Sequence, residues 1–195
     1  VLGHDQVSRL SQLWFDALSG ICAHVRHGGG GLTPSDIAPA QLSQQEIDEL
    51  QQQYPVADVL PLTPLQQGLL FHTGAALGND DLYAVQLDIA VTGALDPKRL
   101  YDAVYTVAKR RPNVVARFTE QFGIPVQVLP AEPVFGWQYL EFDGADDVEQ
   151  RIEQLSTAER VAVCDLDGQP AFRAALVKTA EQQYRFILTN HHIVL

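Results

Sequence analysis

The sharpest chemical signal in the sequence is the adjacent pair His191-His192, closing the run "RFILTNHHIVL" at residues 185–195. An imidazole titrates near neutrality, so a cleft-facing histidine can take a proton from a nucleophile or hold it against a developing charge. The alternating and β-branched residues 184–189 predict a strand, and neighbouring strand side chains point to opposite faces. His192 therefore shares a face with Tyr184, Phe186, Leu188 and Asn190, and His191 with Arg185, Ile187 and Thr189. Both rings cannot ligate one metal without a sharp bend, which predicts one inward structural ring and one facing a cleft. On the residues alone, a polar strand end and a catalytic base stand as equal readings.

Other candidate groups are weaker. Cys22, His24 and His27 fall on a predicted helix at about 200° and 140° round from Cys22, so they diverge, and a frayed helix end explains them better than a metal site. Asp165 and Asp167 in "CDLDGQP" sit among the residues a turn needs. "HGGGG" lacks the GxxxxGK[ST] pattern of a phosphate loop and reads as a flexible linker. GxSxG, CxxC and HExxH are absent, and no metal site is assigned.

The formal net charge is −11, with no basic stretch to displace counterions, which argues against a nucleic-acid partner. No apolar run reaches the roughly 18 to 20 residues of a membrane span, and the start lacks a signal-peptide pattern. Cys22 and Cys164 lie far apart in unlike contexts, so a reducing, cytoplasmic setting is expected. The sequence has no methionine and begins at Val1, which predicts a piece of something longer.

The elements that must position the pair follow from periodicity. Val7, Leu10, Leu13, Trp14, Ala17, Leu18, Ile21 and Val25 recur at three- and four-residue steps, predicting a helix whose apolar stripe needs a surface. "HGGGGLTPSDIAPAQ" reads as a connector and a domain boundary. In "LSQQEIDELQQQY", Ser43 caps a short helix, Glu46 completes a capping box and Leu42 staples against Ile47. Thr63, Pro64 and Gln66 repeat that device for a second helix. Tyr83, Val85, Leu87, Ile89 and Val91 alternate as a half-buried strand, and Asp96-Pro97 opens an amphipathic helix that Pro112 ends. "VVARF", "IPVQVL" and "WQYLEF" read as strands, the first two joined around Gly123; Val148, Ile152 and Leu155 mark another helix. "PAFRAALVK" and "YRFILTN" form a hairpin. The order β-α-β-β-β-α-β-β predicts an α/β fold with a mixed sheet and helices packed on one side, the first helix lying outside it.

Four segments, "PLTPLQQGLLFHT" at 61–73, "AVYTVAKRRPNVVARF" at 103–118, "CDLDGQPAFRAALV" at 164–177 and "LTNHHIVL" at 188–195, resemble in order and spacing the first half of a condensation domain of nonribosomal peptide synthetases. Four motifs in register are more specific than any one alone. The resemblance covers about residues 56–195 and implies the N-terminal lobe of a two-lobed chloramphenicol-acetyltransferase-like fold. The family signature HHxxxDG starts at His191, and the sequence given stops at Leu195, ahead of its Asp and Gly. The resemblance implies that His192 is catalytic and His191 supporting, with Pro61, Thr63, Gln66, Gly68 and Arg173 as motif or structural positions. One departure is "RRPNVVARF", which has Arg111 and Val115 where the family's RHxxLRTxF has His and Arg. Residues 1–27 and the linker 28–55 are similar to the last helix of an epimerization domain and the segment that follows it. An upstream epimerization domain implies a donor ending in a D-residue, which matches Gly68 where the L-accepting branch has Arg.

The implied reaction is peptide bond formation: the amine of an acceptor aminoacyl thioester attacks the carbonyl of a donor thioester. Phosphopantetheine is the implied cofactor, carried by donor and acceptor peptidyl carrier domains and not bound covalently here. The C-terminal lobe and the upstream epimerization domain are the other implied partners, and the 195 residues alone are expected to be inactive. A second reading is a noncatalytic docking platform for carrier proteins or tailoring enzymes. A free-standing acetyltransferase using coenzyme A is weakened by the epimerization-like tail.

Overall fold

A computed structural model of the chain describes residues 3–27, 29–75, 81–142, 147–166 and 169–195, excepting the side chains of 74 and 75. The described strands form two sheets. β1 (Val56–Pro61), β3 (Arg117–Thr119) and β4 (Val126–Pro130) make an antiparallel sheet in the order β1-β4-β3. β2 (Ala84–Thr92), β5 (Gly136–Glu141), β6 (Phe172–Ala180) and β7 (Gln183–His191) make the second, in the order β2-β7-β6-β5. It is mixed: β5 runs parallel to β6 and the other pairings are antiparallel. Parallel neighbours need a crossover, and helix α5 (Val148–Cys164) supplies it. The remaining helices are α1 (His4–Arg26), α2 (Gln44–Gln53), α3 (Pro64–Ala75) and α4 (Pro97–Arg110).

The α/β class and the mixed sheet are as the sequence predicts, but the helices do not share one side. α5 covers the face bearing Ala175, Val177 and Ile187, all fully buried, together with its own Ile152. α4 lies over the opposite face, where Tyr101 meets the rings of Phe135 at 5.6 Å and Trp137 at 5.4 Å. The cause is legible in β7, which alternates Phe186 and Leu188 with Ile187: both faces are apolar, so both need cover. α4 borders an apolar cavity of about 340 Å³ with Phe172, Phe186 and Leu188, and Leu87 on β2 stays 57% exposed beyond it.

The connector is also more structured than its composition predicts. Ile37, Ala40 and Leu42 are buried with Ile47 and Leu50 of α2 against Val59, Val126 and Val128 of the three-stranded sheet. The Ser43 capping box forms, with the Ser43 N–H donating to Glu46 Oε2 at 2.7 Å. Only Arg117 and Phe118 of "VVARF" are strand. Pro112–Val115 is a 3-10 turn that tucks Val115 and Ala116 inward, and β3 begins at Arg117. α1 has no buried residue, and Leu10 and Trp14 are 60% and 65% exposed. The surface that its stripe needs is therefore not supplied by the described residues of the lobe.

Between the two sheets lies a third cluster: Leu62, Leu69, Ala116, Phe118, Leu166 and Ala171, joined by Ile193 and Val194 from the end of the chain. The segment after β7 is thus part of the core.

Candidate active site at the histidine turn

β7 ends at His191, and a 3-10 turn, His192–Val194, follows it. Burial of Ile193 (0% exposed) and Val194 (3%) holds that turn against the lobe. The parity argument survives: His191 is fully buried on the Thr189 side, while the His192 ring is exposed. Each backbone group around His192 is also engaged. Its N–H donates to the Tyr83 carbonyl at 2.8 Å, and its carbonyl accepts from Leu195 N–H at 3.3 Å.

His191 is held at both ring nitrogens. Nδ1 accepts from the Ile193 N–H at 3.2 Å, so the neutral ring carries its proton on Nε2. Nε2 lies 3.1 Å from Thr73 Oγ1, whose own hydroxyl donates to the Leu69 carbonyl at 2.8 Å. The Tyr83 ring packs edge-on at 6.0 Å. Burial, aided by the charge of neighbouring His192, pushes the His191 pKa down to about 4. The ring is a neutral structural part at physiological pH.

The other predicted positions divide into those at this turn and those elsewhere. Thr63 and Gln66 make the expected box at the start of α3, with Gln66 Oε1 accepting from the Thr63 N–H at 3.0 Å and hydroxyl at 3.1 Å. Gln66 does more than cap: its Nε2 donates to the Ile193 carbonyl at 3.1 Å and to Gln127 Oε1 at 3.0 Å. Pro61 ends β1 opposite Val126. Gly68 lies on the exposed side of α3, where an added Cβ would meet nothing within 4 Å.

Arg173 is not part of the turn. It pins β6 to α5, with Nε and Nη2 on the buried Glu159 carboxylate at 2.8 and 3.2 Å, and Gln138 adds a third bond to Glu159 at 2.6 Å. A Cβ on residue 136 would sit 2.8 Å from the Arg173 guanidinium carbon, so any larger residue there would push the Arg173 side chain from its place. Sequence reading missed Thr73 and Asn113; the latter's Nδ2 donates to the Val194 carbonyl at 3.4 Å. For Thr73 a signal existed: it lies seven residues after Gln66, on the same helix face.

Among the described residues, Cys22, His24 and His27 form no metal-holding group. Asp165 closes α5, its carbonyl accepting from Gln169 N–H at 2.9 Å, and Asp167 lies outside the described residues.

The turn, its buried first histidine and its exposed second one lie within the stretch 56–195 that the Condensation domain family model matches. The chain belongs to the condensation domain family. Bacitracin synthase 3 of Bacillus licheniformis is 29% identical over 199 residues, covering 98% of this chain and 3% of that protein. N-(5-amino-5-carboxypentanoyl)-L-cysteinyl-D-valine synthase of Amycolatopsis lactamdurans is 33% identical over 135 residues, 67% of this chain and 4% of that protein. These relatives are nonribosomal peptide synthetases, and the chain spans only a few hundredths of their length. Among solved structures, the starter condensation domain of rhizomide synthetase RzmA matches with a TM-score of 0.61 at 17% identity, over 69% of this chain and 34% of that one. The condensation domain of the Monacolin K polyketide synthase MokA matches with a TM-score of 0.55 at 16% identity, over 70% and 30%. The fold is accordingly the chloramphenicol-acetyltransferase-like one of condensation domains. No described helix is long and apolar enough to cross a membrane.

Proposed function

We propose that this chain is the N-terminal lobe of a condensation domain that joins a donor peptidyl thioester to an acceptor amine, with His192 as the reacting-side histidine. The observation that carries this reading is the contrast within the pair: His191 is sealed in the core with both nitrogens bonded, and His192 is open at the surface on a fixed turn. The acceptor nitrogen attacks the donor carbonyl carbon, a C–N bond forms, the C–S bond breaks, and the proton lost by the nitrogen ends on the departing thiolate to give the free thiol. The His192 imidazole accepts a hydrogen bond from the attacking amine, which both a base and a positioning group require. Phosphopantetheine enters on the carrier domains as part of each substrate, and holding both thioesters at one site supplies much of the acceleration. The 195 residues alone make no product on this reading, because the part of them that matches the solved domain covers only 34% of it and one wall of the site comes from outside them.

The donor reading rests on Gly68. Glycine inside a helix costs about 1 kcal/mol relative to alanine, and nothing in the lobe requires it, since the space around it is open. By resemblance, Gly68 stands where the L-accepting branch has Arg, in line with a D-residue donor. α1 as the last helix of an upstream epimerization domain is supported by its uncovered stripe and by a match to bacitracin synthase 3 that extends over nearly the whole chain.

The test is His192→Ala in the full-length synthetase, with product followed by mass spectrometry. Product is expected to vanish while carrier loading persists, and His191→Ala is expected to act through stability. Wild-type product formation without the His192 imidazole would refute the assignment; carrier docking without turnover in the wild type would make the domain a platform.

A further inference from the structure

We infer that Gln66 and Thr73 are positioning residues: from one face of α3 they grip the turn on both sides of His192 and fix the direction in which its side chain leaves the backbone. The inference deepens the proposed role of His192 and rests on it. Two side chains seven residues apart lie two helical turns apart on one face. Leu69 lies between them and is buried in the same cluster as Ile193 and Val194, with Leu70 packed against it. The opposite face has no such commitment, since Leu65 and Phe71 are 69% and 71% exposed.

The two grips are directional. The Thr73 hydroxyl proton is spent on the Leu69 carbonyl, so Oγ1 must accept the proton on His191 Nε2. That leaves Nδ1 as an acceptor, and it takes the Ile193 N–H. Reversing any link would set donor against donor in a buried place. At the other end, Gln66 cannot flip its carboxamide, because Oε1 already accepts from Thr63 twice and Nε2 donates to Ile193 O and Gln127 Oε1. Ile193 is thereby held by its N–H through His191 and Thr73 and by its carbonyl through Gln66. The peptide before His192 is held in turn by the bond from its N–H to Tyr83 O. Planar peptides fixed on each side of a residue fix its φ and ψ, and hence its Cα–Cβ direction.

Gln66→Glu separates the two jobs of Gln66. The carboxylate keeps an acceptor for the Thr63 cap, but it loses the donor and faces two acceptor oxygens. Thr73→Val keeps the shape of Thr73 and removes the hydroxyl, and Thr73→Ser restores it. In the intact synthetase, kcat for condensation is expected to fall on the order of tenfold or more in Gln66→Glu and Thr73→Val. KM for the carrier-bound substrates should hold, and Thr73→Ser should recover most of kcat. Nitrogen NMR of the His191 ring gives a readout free of the chemistry: Nε2–H in the wild type, and a mixture of tautomers in Thr73→Val. Loss of melting temperature with wild-type kcat per folded enzyme and an unchanged tautomer would overturn the inference. If neither variant folds, the wild-type tautomer decides, because a proton on Nδ1 breaks the described bonding. If His192→Ala keeps full turnover while the tautomer behaves as expected, the catalytic reading fails and the grip stands as structure.

Discussion

Lowering the pH from about 7 to about 4 puts a proton on His191 in the unfolded chain well before the folded one accepts it. The folded pKa is pushed from the ordinary 6.5 down to about 4, first by burial and second by the charge of His192. Between these values the unfolded state binds more protons, so stability rises with pH in that window. The contribution is present in full above 6.5, is lost as pH falls toward about 4, and changes no further below that. At about 1.4 kcal/mol per pH unit the interval is worth about 3 kcal/mol as a ceiling, and relaxation of the surface turn lowers it to about 2. The local cause is specific, since a proton on Nδ1 would face the Ile193 N–H at 3.2 Å with no acceptor left. The assay is urea unfolding of the chain at several pH values, wild type beside His191→Gln. The amide cannot titrate, and the carboxylates cancel in the difference. The advantage of wild type over the variant should shrink by about 2 kcal/mol from neutral pH to about pH 4. A difference that stays constant over that range would refute the reasoning.

Two stability predictions accompany this one. Glu159→Ala should destabilise the lobe by about 3 kcal/mol, because it leaves the mostly buried Arg173 guanidinium without its carboxylate; thermal melting within error of wild type would count against it. Ser43→Ala should cost about 1 kcal/mol through loss of the α2 capping box, read as a lower urea midpoint at unchanged slope.

Short-range signals carried the fold where they were local. The caps at Ser43 and Thr63 and the turn at Gly123 (φ 79°) are written within a few neighbouring residues, and each appears in the structure; the alternating run forms strand β2, but its Val85, Leu87 and Ile89 are exposed rather than half-buried. Faces were harder to read. Each strand shows which side chains alternate, but which helix covers which face depends on where the chain returns, and α4 and α5 return to opposite sides. The connector misled for a related reason. Its glycines and prolines outnumber the apolar residues, yet Ile37, Ala40 and Leu42 fall where the three-stranded sheet needs a lid. The stripe of α1 and the open face of β2 show the opposite case, apolar patterns without a described partner.

At the histidines, parity alone put the two rings on opposite faces, since that is a one-residue property, but it did not say which of them is buried. What holds them was not legible, because the grips come from α3, 118 residues away for Thr73 and His191 and 127 for Gln66 and Ile193. A capping glutamine in a sequence explains itself through its cap, and nothing local announces that its other end reaches a second site. The adjacency of the two histidines follows from the same geometry. One ring is buried and neutral and anchors the turn, and the other is exposed, as the role proposed for His192 requires. The end of a strand running into a 3-10 turn is a place where consecutive residues have both surroundings. Two residues of spacing along β7 would put both rings on one face and cost one of the two roles.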